Sequence, residues 1–169
     1  MMSVDESQFQ RRHRLVVWVV FSWAIGIVII AAARGYGVEH AVMEALLPVG
    51  FGIAALWAWP DAWQRVGLAT AGLCAAHAIT IHLVEGSVWT HFAFFGLGAL
   101  LILYRHAAVP WFLVIDIAFI HVGLAYVDPH SVYGHGWPTG ARFALIAAQV
   151  AAVTTIWRVS ARPRAAGGP

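Results

Sequence analysis

Long runs of apolar residues separated by short polar breaks dominate this chain. A hydrocarbon core about 30 Å thick takes roughly 17–25 helical residues to cross, and six runs reach that length. They extend from Leu15 to Ala33, His40 to Trp59, Val66 to Val84, Val88 to Tyr104, Val109 to Val127 and Thr139 to Trp157. Pro48 marks an expected kink in the second. Gly35–Tyr36–Gly37, Pro60–Asp61 and Glu85–Gly86–Ser87 read as turns or breakers. The longest internal loop runs from Asp128 to Pro138. The expected fold class is an all-α integral membrane protein. Its expected parts are a cytoplasmic segment 1–14, a bundle of six transmembrane helices over 15–157, and a disordered cytoplasmic tail 158–169 rich in Arg, Pro, Ala and Gly.

Composition strengthens this reading. The chain is 61% hydrophobic and 11% charged, whereas soluble domains are roughly half apolar and about 25% charged. Its mean hydropathy is +0.75. There is no Lys, and the Arg residues lie mostly at the chain ends and in short loops, so the net charge of +2 does not point to nucleic acid. The arginines report orientation instead. With the N-terminus inside, inner segments hold Arg11, Arg12, Arg14, Arg65, Arg105, Arg158, Arg162 and Arg164, and outer segments hold only Arg34 and Arg142. That bias predicts both ends in the cytoplasm of a cell membrane, with the lipid bilayer as first partner. The tryptophans agree: Trp57, Trp59, Trp63, Trp111 and Trp157 fall near the inner interface, Trp89 and Trp137 near the outer. Arg11–Arg14, the first apolar run and Ala31–Ala33 also have the order of a signal peptide, but the run is longer than such a core needs. Cys74 is alone, so no disulfide framework exists and a buried apolar role is expected.

Ionisable groups inside a membrane need a partner, a cavity or a function. Seven of the nine His fall in the outer half on this topology: His40, His77, His82, His91, His121, His130 and His135. His13 and His106 fall on the cytoplasmic side. At about 1.5 Å per residue, His82 and His91 lie roughly 5 Å below the outer boundary, His121 about 9 Å and His77 about 12 Å. Those four come from three successive helices, and facing imidazoles at similar depth are how bundles hold haem or a transition metal such as Cu, Zn or Fe. The expected cofactor ligands are His82, His91 and His121, with His77 and Glu85 next. Packing is the plainer account of each: a single intramembrane His more often makes an interhelical hydrogen bond. His77 and His82 are about 140° apart on their helix and cannot both face one ion closely. Glu85 shares a face with His82, as ligand, as orienting group, or simply as a solvated carboxylate. Asp116, in mid-helix, is expected to be protonated or paired across helices, with a proton path as the sharper alternative. His40 and Glu44, one turn apart, are expected to pair locally. Ser22 and Gly26 permit close helix packing. No P-loop, dinucleotide glycine pattern, CxxC, CxxCH or Ser/His/Asp signature is present, so hydrolysis and phosphoryl transfer are not indicated.

One stretch carries more specific information. It contains His82–Leu83, Gly86, His91–Phe92, Phe94–Phe95, Tyr104, His121, Asp128–Pro129, Ser131–Val132–Tyr133 and His135, followed by Pro138 and Arg142–Phe143–Ala144–Leu145–Ile146. From about His82 to Trp157 the chain resembles the His-rich membrane sensor region at the N-terminus of some bacterial chemoreceptors, diguanylate cyclases and histidine kinases. The departures are Trp89 where that pattern has Glu, Ala93 where it has a second His, and Val122 where a His pair would continue from His121. The resemblance implies a membrane sensor fold, here with the polar set incomplete and no signalling output domain.

Three functional expectations follow. The first is a sensor-like or redox-like membrane module with an outer-side His site for haem or a transition metal, acting through a separate signalling or redox protein or a second copy. The second is a cofactor-free accessory subunit. The third is a small proton- or ion-coupled transporter using Asp116 and the histidines. An absorption spectrum with metal analysis separates the first from the others.

Overall fold

In a computed structural model, which describes residues 4–57, 61–134 and 136–161, every regular element is helical. Helix α1 covers Val4–Ala33 and is 30 residues long, so it begins well before the apolar run it was expected to match. The extra turns are built from Glu, Gln and Arg, good helix formers that need no buried face. Gln10 donates to Glu6 one turn away, and Arg65 reaches Glu6 at 3.4 Å and lies over the Phe9 ring. Helix α2 covers Val38–Leu56 and runs through Pro48. Helix α3 covers Ala62–Leu83 and is started by Asp61, whose carboxylate accepts from the Trp63 amide.

Helix α4 covers Val88–Leu101 and tightens into a 3-10 turn, Ile102–Tyr104, which ends at Arg105 in a left-handed conformation. Helix α5 covers Ala108–Ala118 and continues through a π segment, Phe119–Leu124, into a last turn α6, Ala125–Val127. A short helix α7, Pro129–Tyr133, lies in the expected loop. Helix α8 covers Thr139–Ala161. Residues 58–60, His135 and 162–169 lie outside the described residues, so the second run's end, one loop histidine and most of the expected tail do too.

Five helices are long and apolar enough to cross a membrane: Glu6–Ala33, Val38–Leu56, Ala62–Leu83, Ala108–Val127 and Thr139–Ser160. The sixth expected span, Val88–Tyr104, is a shorter apolar helix. Helix α3 is the hub. Its apolar window is 72% buried, against 22–39% for the other four, and it packs against α1, α2, α4, α5 and α7. Val16, Val20, Leu73, Phe94 and Leu113 form the centre of the main apolar cluster. Large apolar side chains including Trp18, Ile29, Val122 and Phe143 point outward. An apolar outside around a close-packed inside suits a bundle surrounded by hydrocarbon.

Candidate functional site

The α1–α2 and α3–α4 turns lie at one end of the bundle, here the distal end. There the first turns of α2 meet the last turn of α3, and three side chains converge. His40 Nε2 is 3.3 Å from Glu44 Oε1, and His82 Nε2 is 3.8 Å from the same oxygen. Tyr36 stacks on the His40 ring at 4.9 Å. One donor atom from each of His40, Glu44 and His82 lies within 4.8 Å of the other two. This is the one such three-donor group among the described residues. Two imidazoles and a carboxylate form a donor set for Zn, Cu or Fe. Glu44 Oε2 is enclosed and has no partner among the described residues.

Glu85 does not join this group. It sits in a left-handed turn conformation, φ 53°, and pairs with Arg34 at 3.4 Å. The helical spacing that placed it beside His82 ends at Leu83, so the shared face is lost with the helix.

Below this group lies a second, fully enclosed pair. His77 Nδ1 is 2.9 Å from Asp116 Oδ2, and neither side chain is more than 2% exposed. His77 Nε2 is 3.1 Å from the Thr90 carbonyl. A carbonyl only accepts, so Nε2 carries a proton. Nδ1 and Asp116 therefore share one further proton, as imidazole with carboxylic acid or as imidazolium with carboxylate. Trp23 meets the His77 ring edge-on and donates to Thr80.

The third cluster joins α4, the π segment, α7 and α8. The His91 and His121 rings stack 5.4 Å apart, with Tyr133 and Trp137 against His91. His91 Nε2 donates to the Val132 carbonyl at 2.8 Å. His121 bonds the Tyr133 hydroxyl and Gln149 Oε1, each at 2.8 Å. Arg142 covers the Tyr133 ring. The π segment begins between Asp116 and His121 and adds a residue to the turn. Asp116 thereby faces α3 while His121 faces α7 and α8. Of the four ring nitrogens in this cluster, His91 Nδ1 is the one enclosed without a partner among the described residues.

The structure does not bring His82, His91 and His121 together in one group. Among the described contacts His82 belongs with His40 and Glu44, whereas His91 and His121 stack face to face with three of their four nitrogens engaged. Two stacked, hydrogen-bonded rings do not present facing nitrogens to a haem iron. His77 is likewise taken up by Asp116 and Thr90.

Sequence reasoning also missed His13. The sequence puts it on the cytoplasmic side and assigns it no partner; it is buried, with Tyr104 on Nδ1 and the Ala55 carbonyl on Nε2, both at 2.8 Å. Gln149, a lone amide on an otherwise apolar helix face, was the available signal for the partner of His121.

Asp128 and Ser131, in the loop that carries the resemblance, have a local task. Asp128 caps α7 by accepting from the Ser131 and His130 amides, both at 3.1 Å. These bonds, that of the Ser131 amide first, hold its carboxyl below the usual carboxylate range. A depressed acid stabilises the fold above its ordinary value and loses that contribution as pH falls through the lowered one. The Ser131 amide resonance is expected to report this acid step, and Asp128→Asn, which keeps an acceptor but cannot titrate, is expected to flatten it.

No protein-family model, curated protein or solved structure matches this chain.

Proposed function

We propose that the chain is a six-span membrane protein with both ends in the cytoplasm. Its outer end holds a transition-metal ion through His40, Glu44 and His82, and it acts as a sensory module that reports occupancy to a partner protein. The observation that carries this reading is the convergence of the three donor atoms within 4.8 Å from two helices. His40 and Glu44 lie one turn apart on α2, so a single rigid element sets two ligands, and the end of α3 supplies the third. The set is partly exposed, which leaves an entry path. The arginine asymmetry supports the orientation. The short fourth helix, with its 3-10 turn, reaches about 27 Å, close to a hydrocarbon thickness of about 30 Å. The sensory role rests on the residues shared with the membrane sensor regions named above.

Titration of the purified protein with Zn²⁺ or Cu²⁺ is expected to give one ion per chain. His82→Ala and Glu44→Ala should each weaken binding about tenfold or more, since losing even an outer-shell partner costs that much. His130→Ala should leave binding unchanged. Acidification should release the ion, because the imidazoles bind only unprotonated. Absence of binding, or binding indifferent to both ligand variants, refutes the site. Reporter fusions at Arg65 and Arg105 should read cytoplasmic and one at Ser131 external; the reverse refutes the orientation.

A second reading, the cofactor-free accessory subunit, is favoured by a different observation. His13, His77 and His121 spend both ring nitrogens on bonds within the bundle. In that case the purified protein carries no metal and no chromophore.

A further inference from the structure

A cleft of about 630 Å³ runs between α2, α3 and α5. Its floor includes Ala71, Ala75 and Ala78 on α3, and its rims include Leu47, Ile115 and Phe119, which are all more than half exposed. A cleft rimmed by outward-facing apolar side chains opens sideways, toward hydrocarbon, and its volume is that of a small-molecule site. Its lining is apolar except near two places. Glu44 and His82 lie at the distal end, and Asp116, already paired with His77, lies deeper.

We propose that this cleft binds a single-chain lipid with a hydroxyl head, of the long-chain or isoprenoid alcohol class. The head would sit at Glu44 and the chain would run along α3 past Ala75 to Ala71. Glu44 supplies the polar anchor. Its Oε1 faces the two imidazoles, while Oε2 is enclosed and lacks a donor. An enclosed oxygen without a donor is costly, and a hydroxyl supplies one. Charge repulsion and desolvation decide the head. In the metal-free protein a fatty acid or phospholipid would bring a negative group beside a carboxylate, and a bare ammonium would have to be stripped of water. Depth agrees. His82 is the second-last residue of α3, at the bundle end where a lipid hydroxyl would sit, and Ala71 lies roughly 16 Å deeper along the helix. The proposal rests on the bundle residing in a bilayer and not on the metal.

The test uses the full chain in nanodiscs with EDTA present throughout, so failure of the metal reading leaves it untouched. Flotation with vesicles checks membrane residence separately. The probe is a diazirine-bearing hexadecanol, with the matching fatty acid as comparison. Peptides carrying Ala71–Ile79 and Phe112–Phe119 are expected to label at least tenfold above the outward face of α8, and excess hexadecanol is expected to compete. Ala75→Phe, which fills the floor, should reduce labelling about tenfold, and Glu44→Leu about fivefold. Should Ala75→Phe fail to fold, Ala71→Leu and the competition arm carry the same test. Equal labelling of cleft and α8, no competition by hexadecanol, stronger labelling by the acid, or Ala75→Cys cross-linking two copies through the cleft overturns the proposal.

Discussion

Asp116→Leu is expected to destabilise the bundle by about 3 kcal/mol, the range seen when one partner of a buried pair is removed. That is about a hundredfold in the folded-to-unfolded ratio. A typical interhelical hydrogen bond in a membrane contributes only about 0.6 kcal/mol, so the larger figure needs a reason. The reason is enclosure. His77 and Asp116 are shut in by protein, between α3 and α5, and His77 Nδ1 has no alternative donor or acceptor within its described contacts. With the carboxyl gone the ring keeps its Thr90 bond and leaves Nδ1 bare. Two further variants fix the interpretation. Asp116→Asn retains a group that donates to neutral Nδ1, so most of the stability should return. The double change His77→Leu with Asp116→Leu removes both polar groups, and it should cost less than Asp116→Leu alone. Reversible unfolding in detergent, with the single change His77→Leu completing the double-mutant cycle, reads all of these variants. Additive losses at the two positions would show that the pair is not a coupled unit.

The helical architecture was legible because hydropathy reports length and composition, which is all that a helix needs to cross a bilayer. It placed α2 to α8 within a few residues, except that the loop helix α7 went unforeseen. The polar sites were harder, because depth is readable from sequence while rotation is not. His82 and His91 were placed at the same level and therefore in one site. Yet His82 turns toward α2 and His91 toward α7. The local rule fared better where both residues share one helix: His40 and Glu44 pair as their spacing predicted. His77 and His82, about 140° apart on their helix, have separate partners. The π segment could not be read, since a one-residue insertion in the helical register leaves no mark on hydropathy. Nor could the partnership of Asp116 with His77, which depends on how α5 docks against α3.

The last expectation concerns the turn that locks the distal end, and it exploits an internal control. Gly86 has φ +65°, and a Cβ there would meet the Val132 carbonyl and the Tyr133 amide, both rigid backbone. Gly35 has φ +83° and open space around its missing Cβ. Placing Ala at either position carries the left-handed penalty of about 1–2 kcal/mol. Only at Gly86 does a collision follow. Val132 cannot yield locally, because its carbonyl accepts the His91 Nε2 bond and α7 is capped on the other side by Asp128. Displacing α7 therefore breaks the His91 bond and leaves an imidazole buried with neither nitrogen satisfied, given that Nδ1 is already unpartnered. An unsatisfied buried group adds about 1–3 kcal/mol. Gly86→Ala is thus expected to cost about 2–5 kcal/mol in all, against about 1–2 kcal/mol for Gly35→Ala. Unfolding in detergent compares the two directly, and the His91 ring resonances report whether its bond is lost. Equal costs for the two variants, with the His91 signals unmoved, would mean that the turn and α7 are not locked together.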